Sequence, residues 1–318
     1  MSDQLIAVVG LGYLGRGIAA CLLMHDFRVL GYDTSAIGRA KAEECIAAAI
    51  DEAIAYGAVG AELAQRWRQN YQAVESIDAI RDATFVIESV VEDAALKREV
   101  FDAIEKVVGR HVPIASNTSA IPISAMQATR RSPERFLGMH WAEPAYATRF
   151  LELIRGTQTS EKAFEHAVAL AQQCGKEPSF VEIDIPGFIA NRLGYAMYRE
   201  AFHLLAEGVA DAETIDRSFR NSIGLWAALC GPFRWIDITG GPALYAKAMA
   251  SVLPSLNSEQ TIPAALEQVC KKSASGSSAG GVYEYAPGEA QAWGDSFHRH
   301  AWAIKKLVDE LRPQEKPQ

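Results

Sequence analysis

The chain has 318 residues, 49% of them hydrophobic, and a formal net charge of −8 at pH 7. That length suits two cores better than one, and the acidic balance excludes partners that need a basic face to displace counterions, nucleic acid and anionic membrane surfaces among them. No apolar run reaches the roughly 18 residues a membrane span needs, and a first strand starting at about Leu5 leaves no room for a signal peptide, so the expectation is a soluble cytoplasmic protein.

The first predicted element is the strand LIAVVG (5–10), apolar and β-branched enough to be buried on both faces, followed by a helix over about Leu14 to His25 and a second strand, RVLGYD (28–33). The Ala- and Glu-rich stretch 35–70 reads as two helices. Beyond it come a strand at TFVIES (84–89), a helix at LKREVFDAIEKVV (96–108), and strands at VPIAS (112–116), FLGMHW (136–141) and RFLELI (149–154). Strands alternating with helices are the pattern of a parallel sheet with crossover helices. From DIPGFIANRLG onward the pattern turns to long helical periodicity, with Pro186 and Gly187 marking the junction. The expected domains are therefore 1–184, built on the sheet, and 185–318, mostly α-helical. Within the second, the Ser- and Gly-rich KKSASGSSAGG (271–281) reads as a mobile loop, and a polar tail closes the chain.

Five cysteines, Cys21, Cys45, Cys174, Cys230 and Cys270, are odd in number, widely spaced and without a CxxC pair. They read as reduced structural thiols, and no histidine spacing suggests a metal site, so none is expected.

GLGYLG at residues 10–15 poses a choice, because a glycine triplet occurs both at nucleotide sites and at ordinary tight turns. Its context favours the first. Gly10 ends a strand and permits the turn, Gly12 removes a side chain that would block a pyrophosphate, and Gly15 lets helix and strand pack closely. Leu11, Tyr13 and Leu14 complete the loop, whose backbone N–H groups and helix dipole suit phosphate. Asp33, at the end of the second strand, is placed to accept from ribose hydroxyls and to repel a 2′-phosphate, which points to NAD; Arg39 nearby keeps NADP open. The expected fold is α/β, a Rossmann-type doubly wound sheet followed by a mostly α-helical C-terminal domain.

Five further segments, ESVVED (88–93), SNTSAI (116–121), GMHWAEP with RFLELI (138–154), PGFIANR (186–192) and CGPFRWID (230–237), follow in order. Together with the glycine loop they resemble the 3-hydroxyacyl-CoA dehydrogenase family and its relatives that act on small hydroxy acids, over nearly the whole chain as far as GVYEY (281–285). The resemblance implies that His140 is the catalytic base, Glu152 its partner acid, and Ser119 and Asn191 the substrate-side polar groups, with Glu92, Lys97 and Ser119 lining the NAD site. It further implies a homodimer, a place in fatty acid metabolism and a site in the cleft between the domains. The chemistry agrees, since oxidising a secondary alcohol needs a base at the hydroxyl proton as hydride leaves the carbon. A carboxylate on the other ring nitrogen fixes the tautomer and stabilises the imidazolium.

Taken singly these residues have plainer readings: a strand-end histidine with a structural bond, Ser119 as a helix cap, Asn191 as a cap or bridge, Glu152 as a solvated strand acid. Two departures from the family pattern stand out. Glu143 occupies the position of an asparagine in the family's His-Phe-Phe-Asn-Pro run, and a carboxylate accepts but cannot donate near the nicotinamide. Where acyl-CoA members place a lysine, this chain reads SASGSSAGG, leaving Lys271, Lys272, Arg66 and Arg68 as the basic groups for a nucleotide tail, although the two arginines read equally as solvating a helix face. The expected reaction is NAD-dependent interconversion of a 3-hydroxyacyl substrate, expected as the CoA ester, and its 3-oxo form. The alternatives are a small free hydroxy acid, carnitine-like or a sugar acid, held by Trp141, Glu143 and Tyr146, and a catalytically idle NAD-binding protein.

Overall fold

Strand β1 (Leu5–Val9) is buried on both faces, with Ile6 and Val8 entering one core and Ala7 and Val9 the other. That two-sided burial explains its unbroken apolar sequence and places it in the middle of a parallel sheet. In the computed structural model, which describes residues 4–274 and 281–311, β1 is joined by β2 (Arg28–Tyr32), β3 (Tyr71–Val74), β4 (Phe85–Glu88), β5 (Ile114–Ser116), β6 (Phe136–Trp141), β7 (Phe150–Ile154) and β8 (Glu177–Val181). They form one sheet in the order β3-β2-β1-β4-β5-β6-β7-β8. The first six are mutually parallel, β7 runs antiparallel to β6, and β8 is parallel to β7.

The helices of this unit are α1 (Tyr13–Met24), α2 (Ala36–Ala55), α3 (Leu63–Asn70), α4 (Ala94–Val107), α5 (Ile123–Gln127) and α6 (Glu161–Gln173). Ile18 and Leu22 of α1, Ile46 and Ile50 of α2, and Phe164 and Leu170 of α6 cover one face. Phe101 and Ile104 of α4 cover the other. This is the Rossmann-like arrangement the sequence leads one to expect.

Two strands, β3 and β8, escape the sequence pattern. Both are edge strands, and their burial is correspondingly poor: β8, EPSFV, buries only Val181 and carries a proline that a central strand would not tolerate. An apolar pattern is the signature of a strand packed on both sides, so strands with one free edge lack it.

By contact the chain divides into two compact units, Met1–Asn191 and Arg192–Gln318. The division lies beyond the Pro186–Gly187 junction because the segment between is tied back to the sheet. Gly187 N–H donates to Ala120 O, and Ile189 and Ala190 N–H donate to Glu152. The second unit is helical, with α7 (Ala190–Ala206) crossing into it, then α8 (Ala212–Asn221), α9 (Ile223–Ala227), α10 (Pro232–Ile238), α11 (Gly241–Val252), α12 (Ala264–Ala274) and α13 (Glu289–Leu311). Residues 271–274, expected in a loop, form the last turn of α12, while 275–280 of the Ser- and Gly-rich segment and the polar tail lie outside the described residues.

The tightest backbone approach in the first unit is at the glycine loop. Gly10 has φ +97°, and a Cβ on Gly15 would stand 1.9 Å from Gly10 O, with only backbone to yield. Gly15→Ala is therefore expected to lower stability by about 1–3 kcal/mol or more through overpacking, read as a lower urea midpoint with an unchanged slope. An unaffected midpoint would contradict this packing.

Candidate active site

The carboxyl ends of the parallel strands carry the candidate groups, which is where open α/β sheets bind ligands. At β1 the chain turns through Gly10 into α1, whose N-cap is Gly12 and makes no side-chain cap bond. The neighbouring helices α2, α4 and α6 are capped by Ser35, Asp93 and Ser160. The first-turn N–H groups of α1 are thus left to an incoming anion.

A Cβ on Gly12 would meet nothing within 4 Å, so the glycine faces open space where a pyrophosphate fits. Asp33 Oδ2 accepts from Leu11 N–H at 3.0 Å and Oδ1 from Ser35 N–H at 2.8 Å, which fixes the carboxylate beside the loop. Arg39 donates to Asp33 O at 2.7 Å and pairs with Glu75 at 3.5 Å. The residues present fit a dinucleotide: a glycine cradle, an uncapped helix end and a braced acid.

His140 and Glu152 face each other across the β6–β7 ladder as direct register partners. The buried Nδ1–H of His140 donates to Glu152 Oε2 at 2.8 Å, and both residues are largely withdrawn from solvent. Because an ionised carboxylate only accepts, the proton is on Nδ1, which in the neutral imidazole places the lone pair on Nε2. Glu152 Oε1 takes two further bonds, from Ile189 N–H at 3.1 Å and Ala190 N–H at 2.8 Å, at the start of α7. Burial alone would push the Glu152 carboxyl up, but the bonds from His140 and from these amides outweigh it and hold it below the usual carboxylate range. Phe150 meets the imidazole edge-on at 5.6 Å between centroids, and Phe188, held at φ +52°, lies 6.0 Å away.

Ser119 sits on the loop after β5 and is exposed. It does not cap a helix, since the N-cap of α5 is Pro122. The loop is gripped by Glu92, whose Oε1 accepts from Thr118 Oγ at 2.5 Å, Ser119 N–H at 3.0 Å and Ala120 N–H at 3.1 Å. Asn191 Nδ2 donates to Ser119 O at 2.7 Å, so Ser119, Asn191 and Glu92 form one connected set.

Lys97 lies beneath this set, wholly buried, with its ammonium 2.8 Å from Glu88 Oε1 and 3.3 Å from Glu92 Oε2. Glu88 Oε2 accepts in turn from Ser116 Oγ at 2.5 Å. Lys97 thus supports the loop through Glu92 from within the protein. Glu88 and Ser116 belong to segments singled out in the sequence but carry no individual signal there. Asn117 is a further connector, with Oδ1 accepting from Trp141 N–H at 2.9 Å and Nδ2 donating to Ser89 Oγ at 3.0 Å.

Glu143 is brought to the first turn of α1. Its Oε2 would be 3.7 Å from a Cβ on Gly17, and burial together with the Glu143 carboxylate raises the pKa of the Tyr13 phenol. Tyr146 donates to Glu52 at 2.8 Å, and burial and Glu52 push its phenol up as well. Trp141, expected beside these in the pocket, is buried. Arg66 pairs with Asp26 at 2.6 Å and Arg68 lies over the Trp67 ring at 4.5 Å, so both are engaged at the surface around α3.

Glu92 makes the loop sensitive to acid. Burial raises its pKa, but bonds from Thr118, the Lys97 charge and the two loop amides prevail and lower it from 4.5. A depressed carboxylate contributes stability that is complete above its unfolded pKa and is lost as pH falls through the folded value. The stability gap between parent and Glu92→Gln is therefore expected to be widest above pH 4.5 and to close in more acidic buffer, followed by thermal melts across pH. A gap that widens on acidification would contradict the assignment.

Residues 5–184 match the family model for the 3-hydroxyacyl-CoA dehydrogenase NAD binding domain, and residues 187–285 match that for the 3-hydroxyacyl-CoA dehydrogenase C-terminal domain. Over 309 residues the chain is 32% identical to the 5-formyl-3-hydroxy-2-methylpyridine 4-carboxylate 5-dehydrogenase of Mesorhizobium japonicum, covering 96% of this chain and 98% of that protein. It is 33% identical to the L-carnitine dehydrogenase of Streptomyces griseus subsp. griseus over 80% of this chain and 76% of that one. A crystal structure of 5-formyl-3-hydroxy-2-methylpyridine 4-carboxylic acid 5-dehydrogenase, an NAD+-dependent dismutase, superposes with a TM-score of 0.89 at 29% identity, over 98% of this chain and 100% of that one.

Proposed function

The chain belongs to the 3-hydroxyacyl-CoA dehydrogenase family of NAD-dependent dehydrogenases acting on CH–OH groups, and from that premise we propose that it oxidises the carbinol carbon of a small unesterified acid with His140 and Glu152 as its acid/base pair. The observation that carries the chemistry is the 2.8 Å bond from His140 Nδ1–H to Glu152, which leaves Nε2 as a base for the substrate hydroxyl proton. Glu152 steadies the imidazolium as it forms and is itself braced by the amides of Ile189 and Ala190.

Ser119 Oγ and the Asn191 amide bind the reacting oxygen, and their mutual bond together with Glu92 fixes where they stand. The glycine loop and Asp33 hold NAD, Glu143 and Tyr13 border it at α1, and Lys97 acts from beneath through Glu92. Bound NAD supplies the hydride acceptor, carbon 4 of its nicotinamide. In the reverse direction His140 returns the proton to the alkoxide.

The choice of a small acid is supported by end-to-end similarity to a pyridine-carboxylate dehydrogenase, which extends past residue 285, where the family's C-terminal model stops. Tyr13, Glu143 and Tyr146 gather an aromatic and acidic set that suits a compact, nitrogen-bearing substrate. A 3-hydroxyacyl-CoA ester is the second reading, favoured by the description of both matching family models; only this reading carries a place in fatty acid metabolism.

A panel of free hydroxy acids, pyridine carboxylates bearing a carbinol or aldehyde, and 3-hydroxybutyryl-CoA, with NAD and NADP, separates the two by NADH absorbance. Turnover of a free acid is expected, with His140→Ala lowering kcat by roughly 10²–10⁴ and Glu152→Gln lowering it less. Turnover of the CoA ester alone would select the second reading, and a fully active His140→Ala would remove the base.

The proposal extends to a homodimer in the cytoplasm. The five cysteines are free thiols, and the second unit leaves large apolar side chains in solvent, Leu225 at 77% and Phe233 at 84% exposure, on helices with no buried residue. No helix among the described residues is long and apolar enough to cross a membrane. Light scattering after size exclusion is expected to give twice the chain mass, and Phe233→Glu to shift it toward one; a monomeric parent at micromolar concentration would refute the dimer.

A further inference from the structure

Two helix C-termini of the first unit converge on three soft donors far from the hydride-transfer groups. Cys21 lies in the last two turns of α1, His25 is the C-cap of that helix, and Cys174 is the C-cap of α6. One donor atom from each lies within 4.8 Å of the other two. A d¹⁰ ion bound at about 2.3 Å by sulfur and about 2.0 Å by nitrogen holds its ligand atoms roughly 3.5–3.8 Å apart. The three side chains are therefore within about 1 Å of a coordination shell before any ion arrives.

The imidazole is already set for the task. His25 Nδ1 lies 2.8 Å from Cys21 O, and a proton on Nδ1 donated to that carbonyl leaves the lone pair on Nε2, the arrangement found in histidine ligands held by a backbone carbonyl. Nε2 is turned toward Gly175, where a Cβ would stand 3.3 Å from it; the residue adopts φ +64°, so glycine serves both the backbone and the space. Cys21 and Cys174 are buried, while His25 reaches the surface and gives an ion its way in.

The electrostatics also suit a cation of low charge. The negative ends of the α1 and α6 dipoles both point at the cluster. Nearby, the Lys176 ammonium is buried, donates to Ala145 O and Thr148 O, and lies 5.1 Å from the Trp141 ring centroid. The two thiolates formed as an ion binds, with the Lys176 ammonium two residues beyond Cys174, leave one negative charge for that ion to offset.

We propose that Cys21, His25 and Cys174 form a structural site for one thiophilic metal ion, Cu⁺ in a three-ligand shell or Zn²⁺ with a water as fourth ligand. Binding releases the two thiol protons to solvent, takes the Nε2 lone pair and changes no oxidation state. Two thiolates and an imidazole select soft ions over Mg²⁺ and Ca²⁺, which prefer oxygen. The site clips the C-terminal end of α1 to α6, while the glycine loop lies at the other end of a helix about 18 Å long.

The test uses the full chain, reduced and freed of metal by chelation, and titrated anaerobically with Cd²⁺ as a spectroscopic probe, with Zn²⁺ and with Cu⁺ under chelator competition. Expected are one ion per chain by native mass spectrometry, a thiolate-to-Cd²⁺ charge-transfer band, two protons released per ion and a rise in melting temperature. Cys174→Ser and Cys21→Ser should abolish the band. His25→Asn should weaken binding at least tenfold, and Cys45→Ser with Cys270→Ser should change nothing. If a buried-cysteine variant does not fold, the parent spectrum and the surface variant His25→Asn decide. Absence of the band at saturating Cd²⁺, a band unaltered by Cys174→Ser, or Cys21 and Cys174 recovered as a disulfide from reduced protein that takes up no ion would each overturn the proposal.

Discussion

The reversal of direction between β6 and β7 is the constraint on which the candidate site depends. A parallel partner for β6 would have required a crossover helix between the two strands. The antiparallel turn instead sets His140 directly opposite Glu152 and keeps both at the carboxyl edge of the parallel strands, level with the glycine loop. The next segment then returns from β8 to lay its first helical amides on Glu152. Register, tautomer and carboxylate charge are consequences of one strand pairing.

A second constraint is the burial of an ammonium. Lys97 is withdrawn from water between Glu88 and Glu92, and charges so placed contribute less to net stability than to fixing a single arrangement, because desolvation takes back much of the Coulombic gain. Here the fixed arrangement is the path of residues 118–120, which hang from Glu92. Glu88 ends the strand whose following residue, Ser89, packs against Gly10, so the same ion chain adjoins the nucleotide loop and the substrate-side loop. Helix α1 packs against the backbone of Gly10 at Gly15, and its C-terminus carries the Cys21–His25–Cys174 cluster.

Much of this was legible in the residues. Two-sided apolar strands, the glycine spacing and Asp33 indicate the sheet, the nucleotide loop and the cofactor, because each imposes a residue type through local backbone geometry or direct chemistry. The edge strands β3 and β8 were not legible, since a strand with one open side is not required to be apolar. Nor was the way Lys97 acts, since the family resemblance places it in the lining of the NAD site, whereas its side chain is wholly buried and reaches the loop through Glu92. Asn117 lay inside a quoted motif, yet its bonds to Ser89 and Trp141 join strands whose neighbourhood no spacing specifies.

The sequence by itself determined the α/β class, the family and the identity of the side chains available for hydride transfer, because periodicity and ordered motifs are local properties of the chain. Only the tertiary structure decided which of them meet. Cys21 and Cys174 are 153 residues apart and His140 and Glu152 are 12 apart, and in both cases the distance that matters is set by how strands and helices pack, a long-range balance of burial and charge that no short window of residues contains.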